Sequence, residues 1–171
     1  MRDLSIIGLV VVAAIGLGIL LFFFEPSSLR SQVDQVFVSN GSVPITVLAQ
    51  GTKAVAIQDR TNYRIQNAHD LMALWELVYG YNDTPATPTV DFTKNEVLAV
   101  FDGSHATNGY TISIVSVTDN TGKRLVVVSH DAPHSSCTLT KTPTSPFEIV
   151  LVPKTTLAIS HQDQMGTAPC P

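Results

Sequence analysis

Hydrophobic positions fall into three regimes along the chain. The first is Leu4 to Phe24, a run of 21 residues without a charge (LSIIGLVVVAAIGLGILLFFF). As a helix at about 1.5 Å per residue it spans roughly 31 Å, the thickness of a bilayer core. It has no polar face, which a helix packed against the core of a single small domain would keep toward water. It is longer than the apolar stretch of a secretory signal peptide, and no small-residue cleavage site or lipid-accepting cysteine follows it. The run therefore predicts an uncleaved signal anchor, a single transmembrane helix. Arg2 and the terminal amine favour the amino end inside, with Asp3 opposing. Residues 1–32 form this anchor and a short polar stalk, Pro26 to Gln32.

The second regime, over residues 33–171, has mostly period two. Val43–Ala49 reads as a strand, with Ala54–Ile57 and Tyr63–Gln66 as shorter candidates. Val97–Phe101 (VLAVF) is an apolar run of buried-strand length. Tyr110–Val117 alternates, with Tyr110, Ile112 and Ile114 on one face. The turn residues Asp119-Asn120-Thr121-Gly122 then predict a hairpin with Arg124–Ser129. Phe147–Val152 and Thr155–Ser160 close the series. The third regime is one stretch of helical period. Leu71, Leu74, Trp75 and Val78 share a stripe, Asn67 is suited to the N-cap, Asp70 to the capping box and Gly80 to the C-terminal stop. Trp75 reads as a core anchor. The fold class is α+β and β-rich: a curled antiparallel sheet or sandwich with one packed helix, preceded by the N-terminal transmembrane helix.

Composition narrows the function classes. Only 14% of residues are charged, against roughly 25% in ordinary soluble domains. The charges within residues 1–32 cancel, so the whole net charge of −4 belongs to residues 33–171. An acidic chain poor in lysine is ill suited to nucleic acid, whose recognition is built on clustered Lys and Arg. Two cysteines without a CxxC pair exclude a zinc ribbon and a thioredoxin-like site. If the domain is exported, Cys137 and Cys170 form a disulfide that ties down the tail. In a reducing compartment they remain free thiols.

Candidate chemistry is sparse. There is no G-x-S-x-G elbow, P-loop, dinucleotide fingerprint or H-E-x-x-H pair. His130 and His134 lie four apart, but Pro133 forbids a helix interior that would align them. With His105 and His161 they read as solvated histidines of polar loops rather than as metal ligands. Glu76, Asp91, Glu96 and Asp102 are scattered over different elements. No catalytic residue, metal or cofactor is expected. What remains is loop chemistry: Gly103 to Tyr110 joins two apolar strands with small polar residues, a pattern shared by plain turns and by recognition loops.

The stretch from Val90 to Lys154 resembles the carboxyl-terminal domain of the PrcB family, named for a subunit of a bacterial surface protease complex. The residues that carry the resemblance are Val90-Asp91-Phe92, Val97–Phe101, the turn Thr107-Asn108-Gly109-Tyr110 and Leu125-Val126-Val127. Pro133, Cys137, Thr142, Ser145-Pro146-Phe147, Ile149-Val150 and Val152-Pro153-Lys154 follow, and the helix with its Leu74-Trp75 pair precedes them. The sequence departs from the family pattern at Asn108, at Ser135 and Ser136, and at Phe147.

The resemblance implies a non-catalytic, exported accessory module that binds a protein partner such as a protease. The domain organisation expected is an anchor and stalk over 1–32 and an exported β-rich domain over 33–171, with the PrcB-like core at 90–154. The carboxyl-terminal domain then lies outside the cytoplasm on a single-pass anchor. The candidate binding residues are Ser104, His105, Thr107, Asn108, Gly109 and Tyr110, with Pro133 and Pro146 if the loops Ala132–Cys137 and Thr142–Pro146 share one end of the fold. Tyr110 is expected to anchor the first loop from the core side. Two alternatives stay open: a stand-alone protease inhibitor, since the T-x-G-Y turn is similar to the inhibitory loop of chagasin-type proteins, and a structural component of an envelope assembly.

Overall fold

A computed structural model of the chain describes residues 41–82 and 84–171, within one compact unit, Gly41–Pro171. The expected anchor and stalk lie outside the described residues. Among the described residues no helix is long and apolar enough to cross a membrane.

Among the described residues seven strands and one helix follow in the order β1 (Thr46–Gly51), β2 (Thr61–Ile65), α1 (Ala68–Tyr79), β3 (Asn95–Phe101), β4 (Thr111–Asn120), β5 (Lys123–Pro133), β6 (Phe147–Pro153) and β7 (Ala158–Ala168). They form two sheets. One is four-stranded and antiparallel, in the order β1-β6-β3-β2; the other is three-stranded, in the order β4-β5-β7. Over the described residues the chain adopts the expected β-rich sandwich with one packed helix. The expectation of an antiparallel arrangement needs one correction: β7 runs parallel to β5 along its full length, from Lys123 opposite Ala158 to Pro133 opposite Ala168. Strand β6 carries the chain across to the other sheet between them, so β7 returns in the direction of β5.

The layer order is helix, four-stranded sheet, three-stranded sheet. Strands β3 and β6 sit in the middle and are covered on both faces. Val97, Ala99, Phe101, Phe147 and Ile149 pack with Leu71, Leu74, Trp75 and Val78 of α1. On the other face Leu98, Val100, Val150 and Val152 meet Ile112, Ile114, Val117, Val126 and Val128. Burial on both faces explains why VLAVF and IVLV are continuous apolar runs while β4 and β5 alternate.

Helix α1 follows its sequence signals. Asn67 is extended, and its side chain accepts the N–H of Asp70 at 2.9 Å. Gly80, at φ 78°, donates to Glu76 O. The segment expected as a strand at Ala54–Ile57 serves the helix instead. Val55 and Ala56 donate their N–H groups to the carbonyls of Val78 and Leu77, both at 2.9 Å. These are among the carbonyls a helix end leaves without a partner.

The β4–β5 hairpin forms as expected but with a bulge between Ile114 and Ser116. The extra residue, Val115, is turned outward, and the inward phase resumes at Val117. The side of the sandwich between β1 and β4 is closed by the chain leading into β1. Val43 donates to Val117 O at 2.8 Å and Asp119 donates to Gly41 O at 2.7 Å, while the Val43 side chain enters the core between the sheets.

Candidate functional site

Three irregular segments meet at one end of the sandwich. The first, Gly103 to Tyr110, joins β3 to β4; the others lie between β5 and β6. His105 and Thr144 exchange both backbone hydrogen bonds, at 2.8 and 3.0 Å. The Thr144 hydroxyl donates to Thr107 O. Asn108 donates its N–H to Thr140 O, and its side-chain oxygen accepts from Thr140 N at 2.9 Å. Gly109 has φ 96° and lies so close to Pro133 that a Cβ there would stand 2.9 Å from it. A side chain at Gly109 would meet both a disfavoured backbone region and a clash.

Seven of the eight expected binding residues are therefore gathered here: Ser104, His105, Thr107, Asn108, Gly109, Tyr110 and Pro133. Ser104 is exposed and the other six are half-buried. Pro146 is a correction. Its side chain is fully buried and its carbonyl accepts the N–H of Asp102, so it offers no surface. Tyr110 holds the loop by stacking on His105, with ring centroids 3.8 Å apart, rather than by reaching into the core. The exposed crest is Thr140-Lys141-Thr142-Pro143 beside Ser104.

Cys137 and Cys170 are joined in a disulfide, with Cα atoms 5.3 Å apart. Because Pro133 ends β5 and Ala168 ends β7, the bond fastens the loop end to the edge of the three-stranded sheet just beyond the last paired residues.

Below the loop end lies a hub that the spacing of the sequence does not reveal. Asp102 terminates the ladder of β3, and its carboxylate accepts from three side chains: Arg60 Nη2 at 2.8 Å, His105 Nε2 at 2.7 Å and His130 Nδ1 at 2.6 Å. A carboxylate only accepts, so the ring nitrogens facing it carry the protons. His130 is 5% exposed, and its Nε2 lies 3.4 Å from Asp163 Oδ1. The reading of His130 as a solvated loop histidine is thereby corrected: it is an inward residue of β5, bonded through Nδ1 to Asp102. His134 remains exposed and bonds Ser136. Among the described residues no cluster of His, Cys, Asp and Glu has the arrangement of a metal site. Asp102 thus ties the Gly103–Tyr110 loop, through His105, to the interior of the sandwich, through His130.

A second ionic chain sits at the opposite end of β3. Glu96 is fully buried and accepts from Arg64 at 2.8 Å, Gln66 at 3.2 Å and Arg124 at 3.0 Å. Arg124 also grips Asp119 with two bonds, at 2.7 and 2.8 Å, which hold the Asp119 carboxyl below its usual range. Arg64 donates to the carbonyls of Thr155 and Leu157, fixing the connection from β6 to β7. Glu148 differs from both acids. It faces the three-stranded sheet and accepts the N–H of Ile114, at the start of the bulge, at 2.6 Å. Burial pushes its carboxyl up, with the Ile114 bond opposing.

Fold and site together define a β-sandwich that presents a cross-braced loop end. Residues 97–153, from β3 to the end of β6, match the family model described as PrcB C-terminal. The match falls inside the stretch 90–154 that carries the resemblance in the sequence, and it covers about a third of the chain. It contains Asp102, His105, His130 and all three loop segments, but not Arg60 or α1. No curated protein and no solved structure matches the chain.

Proposed function

We propose that the chain is a membrane-tethered, extracytoplasmic and non-catalytic binding module that serves as an accessory of a protease complex. The partner is engaged through the loop end formed by Ser104–Tyr110, Pro133 and Thr140–Pro143. The observation that carries the reading is the PrcB C-terminal match over the residues that build this end. Loops braced on a rigid sheet are a common recognition device, since a fixed loop loses little entropy when a partner binds. The Cys137–Cys170 bond supports an oxidising compartment, and the apolar run Leu4–Phe24 supports the tether.

The test is site-specific photo-crosslinking in native membranes with the full chain. One probe replaces Ser104 at the loop end and a control replaces Met72 on the exposed face of α1. The expected result is an adduct between the Ser104 probe and a protease or a subunit of its complex, weakened by Gly109→Ala and missing from the Met72 probe. Adducts from Met72 but not Ser104, or Ser104 adducts only to proteins unrelated to proteolysis, overturn the reading.

A further inference from the structure

Strands β2 and β7 are the edge strands on the side of the sandwich opposite the stitched β1–β4 side. Among the described residues no bridge joins them. The seam between them is pinned at its two ends. At one end Arg64 holds Glu96 and the carbonyls of Thr155 and Leu157; at the other Arg60, Asp102, His130 and Asp163 form a chain of contacts. Between these pins lies a cavity of about 490 Å³. Its floor is aliphatic and comes from both sheets: Leu98 and Val100 from β3, Val126 and Val128 from β5. Asn62 stands on the β2 lip and His161 on the β7 lip.

We propose that this seam is a second interaction site, separate from the loop end, that takes an extended peptide segment of a partner protein. The segment pairs its backbone with the free edge of β2, places small aliphatic side chains on the floor and offers a carboxylate to Arg60.

The fold itself shows how such a segment sits. On the closed side, the stretch Gly41–Val43 pairs its backbone with β4 while Val43 inserts between the sheets. An added strand at the seam repeats that arrangement on the open side, as in other cases of strand addition at a sheet edge. The length agrees. Arg60 and Arg64 are four positions apart, about 13 Å along a strand, which is room for four or five extended residues. The charge agrees as well. Arg60 spends one nitrogen on Asp102, its side chain is 45% exposed, and it lines the slot. Inward-pointing polar side chains on the two edge strands also keep the seam from pairing indiscriminately.

The test titrates the full chain in detergent micelles with a pentapeptide, blocked at both ends, of sequence valine-threonine-valine-threonine-glutamate. Controls carry lysine in place of glutamate, or N-methyl groups along the backbone. The expected result is saturable binding that slows amide exchange across Thr61–Ile65, with at least about tenfold weaker binding of the lysine peptide and no binding of the N-methylated one. Asn62→Trp and His161→Trp, both exposed and on opposite lips, each weaken binding by about tenfold or more without changing Tm.

The proposal is overturned by no binding at millimolar peptide, by protection confined to residues 104–144, or by equal binding of the N-methylated peptide. That last result would mark the cavity as a site for a small apolar molecule. It is also overturned if the edge becomes protected with rising protein concentration alone, which would make a second copy of the chain the occupant.

Discussion

Glu148 is, among the described residues, the buried acid without a cation beside it; Glu96 and Asp102 are each held by arginine. Its carboxyl is pushed above the ordinary value of 4.5 by burial. A raised pKa in the folded state means that the native protein holds the proton more tightly than the unfolded chain does. Its contribution to stability is therefore complete below about pH 4.5 and is lost as pH rises through the raised value. Glu148→Gln keeps an oxygen for the Ile114 N–H and removes the buried charge. It should be more stable than the parent at pH 7, with the advantage shrinking toward pH 4 in thermal melts. An advantage that persists or grows at pH 4 would mean that charge burial is not the cause. Asp119 has the opposite sign. Its lowered carboxyl stabilises the fold above its ordinary value of 3.8, and that stabilisation fades as pH falls through the depressed one. Asp102→Asn tests the hub. An amide nitrogen turned toward Arg60, His105 or His130 leaves a donor unmet in a buried site, a loss of about 1–3 kcal/mol. The same change should loosen the Ser104–Tyr110 loop, read as faster amide exchange at His105, because His105 loses the carboxylate that holds its ring under Tyr110.

Elements written in local signals were legible, and elements written in distant partners were not. Helix α1 was readable from Asn67 to Gly80 because capping and the stripe Leu71, Leu74, Trp75, Val78 are properties of one continuous segment. Asn67→Ala should cost about 1 kcal/mol, and Trp75→Ala about 3–5 kcal/mol through the cavity left in the core beneath α1; chemical denaturation checks both. Strand β7 shows the opposite case. Its first residues, Ala158–Ser160, fall in a region of apolar content, but His161–Thr167 is polar and exposed. Such a run carries no alternation because it is an edge strand whose order comes from pairing with β5. Ala54–Ile57 misled for the converse reason: Ala54 and Ile57 enter the core while Val55 stays exposed, and the N–H groups of Val55 and Ala56 are spent on the end of α1. The Asp102–His130 contact joins residues 28 apart, on two sheets, and no spacing rule encodes it. One signal was available. Arg60 and Asp102 continue the β2–β3 register in which Thr61 faces Phe101, so pairing the two strands on paper would have brought the charges together.

At the scale of the whole molecule, the sandwich is stitched on one side by Gly41–Val43 and left open on the other, so β7 depends on β5 and on its ends. One end is held where Arg64 fixes the β6–β7 connection. The other is held by the Cys137–Cys170 bond, which closes a loop of 33 positions. In the chain-entropy picture that closure is worth about 3–4 kcal/mol, by restricting the unfolded chain. Cys170→Ser should lose roughly this much in denaturant titrations of the oxidised protein, and reduction of the parent should reproduce the loss. The effect should also be localised. Amide exchange should rise most from Asp163 to Ala168, nearest the missing bond, and least at Ala158–Ser160, beside the arginine pin. A uniform rise along β7 would mean that the strand opens as one piece and that the arginine pin does not hold its start. The loop end should feel the change too, because Cys137 lies in the segment that braces Asn108 and Gly109. The proposed binding through the loop end is then linked to oxidation of the disulfide: the reduced chain should give weaker Ser104 crosslinks than the oxidised one, at temperatures where both remain folded.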